Sequence, residues 1–191
     1  MDSYRQKIYY KNQIGFTLVE LIITLVIAGI LLTIAVPSFN SFLMNSRLTT
    51  QINELVSAIQ LSRSEAIKRG ANVTICKSST GTSCGASWTN GWLVFEDANN
   101  NGTVDVSEPI VRIHGELRGL NTLTFGTKSR VTYTNQGLAS GYDETFVLCD
   151  SRGASSAKAA TISSIGRVRL ATDSNTDGIV ENGSGNNVTC P

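Results

Sequence analysis

Two hydrophobic rhythms divide the chain. From Leu21 to Val36 it reads LIITLVIAGILLTIAV, without a charged residue. Extended back to Phe16, the segment holds 21 residues and a single charge, Glu20. A helix of that length is about 31 Å long, close to the thickness of a bilayer's hydrocarbon core. The segment is therefore expected to span a membrane, and a carboxylate inside it is costly enough to mark function. Past Pro37 the apolar positions thin to one stripe: Phe39, Phe42, Leu43, then Ile52, Leu55, Val56, Ile59 and Ala66, with Asn53, Glu54, Ser57, Arg63 and Lys68 opposite. This is the period of an amphipathic helix. Gly70 after Lys68-Arg69 marks its C-terminus. One helix from about Phe16 to Arg69, bent near Pro37, is predicted.

After Gly70 the period drops to two. Short apolar or alternating runs lie between Gly, Asn and Ser: Val73–Lys77, Trp92–Phe95, Ile110–Ile113, Leu120–Phe125, Arg130–Tyr133, Thr145–Cys149, Ala159–Ile162 and Arg167–Ala171. These read as strands of antiparallel sheets. The fold class is α+β, a long N-terminal helix packed on a C-terminal antiparallel sheet domain.

Composition narrows the setting. Of 191 residues, enough remain after the span for one domain with its own core, and the net charge is +1. Cys76, Cys84, Cys149 and Cys190 all follow the span, and their spacing fits no zinc site. Two disulfides in an oxidising compartment are favoured over free buried thiols. Order along the chain favours Cys76 with Cys84 and Cys149 with Cys190, although four cysteines allow three connectivities. Ahead of the span, Arg5, Lys7 and Lys11 stand against Asp2, which holds the N-terminus in the cytoplasm and sends the rest outward. A secretory signal would place its small residue after the apolar run, whereas Gly15 precedes it.

Gly15-Phe16-Thr17-Leu18-Val19-Glu20 behind a basic leader resembles the class III signal of type IV pilins and pseudopilins. The resemblance implies cleavage after Gly15 by a prepilin peptidase and methylation of Phe16. It also implies a partner for Glu20, the N-terminal amine of a neighbouring subunit. Such a pair is costly to break on one side in low dielectric. Residues 1–15 become a leader, 16–36 an inner-membrane span that later lies in a filament core, and 37–191 a periplasmic globular domain carrying the second half of the helix.

Gly91-Trp92-Leu93-Val94-Phe95, followed by Asp97-Ala98-Asn99-Asn100-Asn101-Gly102, Asp105 and Glu108, resembles the GspH-like group of minor pilins and pseudopilins, which includes FimT and FimU. The same block matches a calcium-loop template, with Asp97, Asn99, Asn101 and Glu108 as oxygen donors. Its flanks are strands, however, and an Asn/Gly turn that binds nothing is the favoured reading. Asp173-Ser174-Asn175-Thr176-Asp177-Gly178 is a second such string, read as a turn because the template's closing Glu is missing.

Near the C-terminus stands Gly166-Arg167-Val168-Arg169. In a strand, period two puts both arginines on one face, with α-carbons roughly 6.5 Å apart. Each guanidinium can grip phosphate oxygens with two parallel hydrogen bonds. The string resembles a motif of FimT-type minor pilins, which bind DNA during natural transformation. That resemblance assigns Gly166, Arg167 and Arg169 to DNA contact. The bland alternative is a pair of solvated arginines guarding a sheet edge. Pro109 to Arg169 holds eight basic and four acidic residues, whereas the tail from Leu170 holds three acidic residues and no basic one. Few aromatics accompany the arginines, so salt-sensitive contact to the backbone of duplex DNA is expected rather than base stacking.

No phosphate loop, G-x-S-x-G or H-E-x-x-H string occurs, and His114 reads as structural. An enzyme, a cofactor, a bound metal and a small-molecule substrate are not expected. Expected partners are DNA, other pilin subunits, the prepilin peptidase and the inner membrane. Two readings remain: a DNA-binding minor pilin, or a structural minor pilin or pseudopilin that primes or caps a filament.

Overall fold

The computed structural model describes residues 15–191. The basic arm and the leader up to Ile14 lie outside the described residues. Helix α1 runs Leu18–Arg69 and continues through Pro37. Thr17 starts it: its hydroxyl accepts the Glu20 N–H at 3.2 Å and its carbonyl the Leu21 N–H at 3.1 Å. Gly70 ends it with φ +68, donating to the Ala66 carbonyl at 3.1 Å. Arg69, in the last turn, pairs with Glu65 at 2.6 Å and Glu96 at 2.8 Å.

The chain divides into two compact units between Phe42 and Leu43. The helical part of the first, from Leu18, buries none of its side chains and is long and apolar enough to cross a membrane. In the second, the helix turns Leu48, Ile52, Leu55, Ile59 and Ala66 inward. The first unit is apolar all round and the second has one stripe, so only the second finds its cover within its own chain.

Eight strands follow, all antiparallel. Sheet one has the order β3-β2-β1-β5, built from β1 (Val73–Lys77), β2 (Trp92–Glu96), β3 (Ile110–His114) and β5 (Arg130–Tyr133). Sheet two has the order β4-β6-β7-β8, built from β4 (Thr122–Phe125), β6 (Thr145–Cys149), β7 (Lys158–Ile162) and β8 (Val168–Leu170). Each expected strand forms, with bounds shifted by at most two residues. Leu120, expected to open β4, instead sits in a turn at φ +59 and is fully exposed. Nothing apolar reaches it there.

Alternation gives each sheet an inner and an outer face. Ile75, Trp92, Val94, Val131 and Tyr133 from sheet one share one core with the helix stripe and with Phe125, Phe146, Leu148, Ala160 and Ile162 from sheet two. Phe125 stacks on Phe146 at 3.9 Å, and Trp88 meets Phe146 edge-on at 4.9 Å. Each such side chain contributes about 1.5–3 kcal/mol by leaving water. The outer faces are also covered. Cys76, Leu93 and Phe95 lie under Cys84 and Val104, and Cys149 and Ala159 lie under Val188, Val180 and Ile179. A disulfide staples each cover, Cys76–Cys84 on sheet one and Cys149–Cys190 on sheet two.

Candidate nucleic-acid interface

The arginine string straddles the turn from β7 into β8. Register pairs Ile162 with Val168 and Thr161 with Arg169, and the Ser163 N–H donates to the Arg167 carbonyl at 2.9 Å. Val168 packs on the central core, so Arg167 and Arg169 project from the outer face of sheet two, and both are exposed. Neither has an ion-pair partner within 4 Å among the described residues. They line a groove of about 440 Å³ with Thr145 and Thr161, Asp143 and Glu144, and the turn Asn182–Ser184. The groove therefore carries two free guanidiniums and two carboxylates.

Gly166 plays a different part from its neighbours. It is buried, at φ +76, and a Cβ there would run into the Gly137 carbonyl oxygen and the Tyr133 ring. The close approach that glycine permits here is by the protein's own backbone, so Gly166 shapes the turn that carries Arg167. The Tyr133 hydroxyl beneath has no hydrogen-bond partner among the described residues. Burial pushes this phenol well above its ordinary range, against a smaller downward pull from Arg63.

Helix periodicity places Arg63 on the polar face and gives it no further role. Its Nε donates to the Gly137 carbonyl at 3.0 Å and its Nη2 to the Ile165 carbonyl at 3.3 Å. One guanidinium thus ties α1 to both turns that set Gly166 and Arg167. No signal in the sequence connects Arg63 to positions more than 70 residues away.

The Asp97 loop is organised by its own side chains. Asp97 is fully buried and accepts from the Thr74 hydroxyl at 2.7 Å and from the Gly102 N–H at 3.1 Å. Glu108 accepts from the Ala98 N–H at 2.9 Å and the Asp105 N–H at 3.2 Å. Asn99 and Asn101 each donate to Asp105. The second string repeats the plan: Gly178 N–H donates to Asp173 at 2.8 Å, and Ser174 N–H to Glu181 at 2.9 Å. That loop does have a closing carboxylate. Glu181 supplies it from a spacing that the calcium template does not scan.

His114 stacks flat on Trp92 at 3.9 Å, with Nε2 3.1 Å from a Glu54 oxygen and Nδ1 2.7 Å from the Gly115 carbonyl. It sews β3 to the helix. Gly15, Phe16 and Glu20 are exposed at the other end of the chain.

The family profile described as Type II transport protein GspH matches residues 51–166. The chain belongs to the GspH family. The profile of the prokaryotic N-terminal methylation motif matches residues 10–36, which include Gly15, Phe16 and Glu20. A fimbrial protein of Pseudomonas aeruginosa is 38% identical over 63 residues, 33% of this chain and 40% of that protein. The chain thus spans about two fifths of the length of the curated relatives it matches. Among solved structures, the minor pilin FimU of Pseudomonas aeruginosa superposes with TM-score 0.55 at 21% identity, over 69% of this chain and 92% of that one. A second crystal form of FimU gives TM-score 0.51 at 20% identity, over 65% and 93%. At that identity the likeness speaks for the fold. The GspH match ends at Gly166, so family membership carries no information about Arg167 and Arg169.

Proposed function

We propose that this GspH-family chain is a minor subunit of a type IV pilin-like filament whose exposed domain holds DNA by its phosphate backbone. The observation that carries the DNA reading is the pair Arg167 and Arg169, side by side on the outer face of an edge strand with no carboxylate in ion-pair contact. Exposed guanidiniums facing phosphate give charge-assisted hydrogen bonds without reading bases. Asp143 and Glu144 in the same groove keep the local field modest, so binding is weak, sequence-independent and salt-sensitive. DNA captured this way serves uptake in natural transformation.

The N-terminal segment supports assembly. In this reading a prepilin peptidase cuts after Gly15, Phe16 is methylated, and the apolar helix stays in the inner membrane with the domain on the periplasmic side. On entering a filament, the helix exchanges lipid for neighbouring helices. Glu20 then meets the N-terminal amine of a neighbouring subunit. The role is binding and assembly rather than catalysis.

The test is a gel-shift titration of the detergent-solubilised chain on unrelated duplexes. Arg167→Ala and Arg169→Ala each weaken binding by about 1.5–3 kcal/mol, on every sequence alike. Each lowers the salt slope by about one. A wild-type chain that gives no shift even at low salt returns the protein to the second reading, a structural subunit that primes or caps a filament.

A further inference from the structure

The groove has a second wall, and it is made by the C-terminal tail. Gly183 N–H donates to the Thr145 hydroxyl at 3.0 Å, and that hydroxyl is in turn 3.1 Å from the Thr161 hydroxyl. A Cβ on Gly183 would come within 2.8 Å of the Thr161 methyl, so the turn lies directly on the outer face of sheet two. Asn182 fixes its shape, with Oδ1 accepting from Ser184 N–H at 2.9 Å and Asn186 N–H at 3.1 Å. The Asn182 amide nitrogen and the Ser184 hydroxyl have no hydrogen-bond partner among the described residues, and both residues line the groove opposite the arginines. The segment is anchored by Cys190 to Cys149 at the end of β6.

We propose that the turn Asn182–Ser184 is the second half of the nucleic-acid site and that the Cys149–Cys190 disulfide holds it in place. This rests on the DNA reading above. A phosphodiester presents two non-bridging oxygens that share one negative charge. The arginines satisfy one side of it, and the opposite wall offers two neutral donors of the kind that commonly position phosphate. Neutral donors suit a wall close to Asp143 and Glu144, where a third cation would pair with a carboxylate rather than with the ligand. Gly183 is a positioning residue: any side chain there lifts the wall off Thr161.

The experiment is an anisotropy titration of the detergent-solubilised chain with a fluorescein-labelled mixed-sequence duplex, run at several salt concentrations with Tm measured beside it. Ser184→Ala weakens binding about fivefold, the loss of one neutral hydrogen bond. Its salt slope and Tm stay unchanged, because no charge and no packing is lost. Ser184→Thr, which keeps the hydroxyl, binds like wild type. Gly183→Val and the pair Cys149→Ser with Cys190→Ser weaken binding at least as much, whereas Cys76→Ser with Cys84→Ser, on the other sheet, does not. If Arg167→Ala weakens binding but Ser184→Ala and Gly183→Val bind as tightly as wild type, the tail is not part of the site and this inference falls while the DNA reading stands. A wild-type chain that binds no DNA overturns both. Should the Cys149 variant fail to fold, Ser184→Ala and Gly183→Val still decide the matter.

Discussion

The two sheets are built to one plan and spend it differently. Each turns one face to the helix and covers the other with a loop stapled by a disulfide. Each cover contains an Asp-x-Asn loop closed by a glutamate. On sheet one the plan is sunk into the structure, with Asp97 and Glu108 buried and their oxygens engaged by Thr74 and by backbone N–H groups. On sheet two, Glu181 is buried, but Asp173 is only half-buried and Asp177 is exposed. There the cover stops short of the edge strand and leaves a groove beside Arg167 and Arg169. A well-sealed cover yields stability. A cover that leaves a gap leaves two guanidiniums open to solvent.

The largest expected effect lies in the staples. Cys149–Cys190 closes a separation of 41 residues and Cys76–Cys84 one of 8. Chain entropy then assigns about 4 kcal/mol to the first and about 2.5 kcal/mol to the second. Denaturant melts of the two serine double variants check this, and an inverted order would break the comparison. Next come the two loops. Asp97→Ala costs about 3 kcal/mol, since it strands the buried Gly102 N–H and leaves the Thr74 hydroxyl only Thr132 as a partner, whereas Asp173→Ala costs about 1 kcal/mol. Equal losses by the same melts would mean that both covers are sealed alike.

A smaller effect comes from glycine. Gly166→Ala adds a collision with the Gly137 carbonyl to a left-handed backbone, whereas Gly185, at φ +81, has open space around it. The first substitution costs about 2–3 kcal/mol and the second about 1 kcal/mol. Gly166→Ala also weakens DNA binding, which the Gly185 variant does not.

The smallest effect is on pH dependence. Asp150, at the end of β6, is pushed up by burial, but hydrogen bonds and the charge of Arg152, 2.6 Å away, outweigh this and hold the carboxyl below its usual range. A depressed folded value contributes stability that is present above the ordinary carboxylate range and lost as pH falls through the folded value. Asp150→Asn therefore lowers Tm at neutral pH and leaves it nearly unchanged at strongly acidic pH. An equal drop at both pH values would remove Arg152 as the cause.

Much of this architecture is legible from pattern alone. The helix shows as an apolar run followed by a stripe, and eight strands show as short period-two runs between turn residues. These are local signals that survive without a partner. The sites are legible only in part. Arg167 and Arg169 stand out as a string, but the use of Gly166 does not, because the carbonyl that demands a glycine belongs to Gly137. Glu181 escapes for a similar reason, since it reaches back to Ser174 and Asn175 from a spacing that no local template covers. Arg63 shows locally only as a polar-face residue; nothing near it in the chain points to Gly137 or Ile165.

What the sequence determines by itself is everything set by neighbours along the chain: helix and strand periods, the caps at Thr17 and Gly70, the membrane-length run with Glu20, and the family. What only the tertiary structure decides is which distant segments meet. It splits the strands into two sheets, lays the Cys149–Cys190 tail on the outer face of the second, and pairs Ile162 with Val168 so that the arginines point outward. A register slip of one residue would have buried them. The physical reason is that strand pairing and loop docking are chosen by a shared core, which no single segment contains.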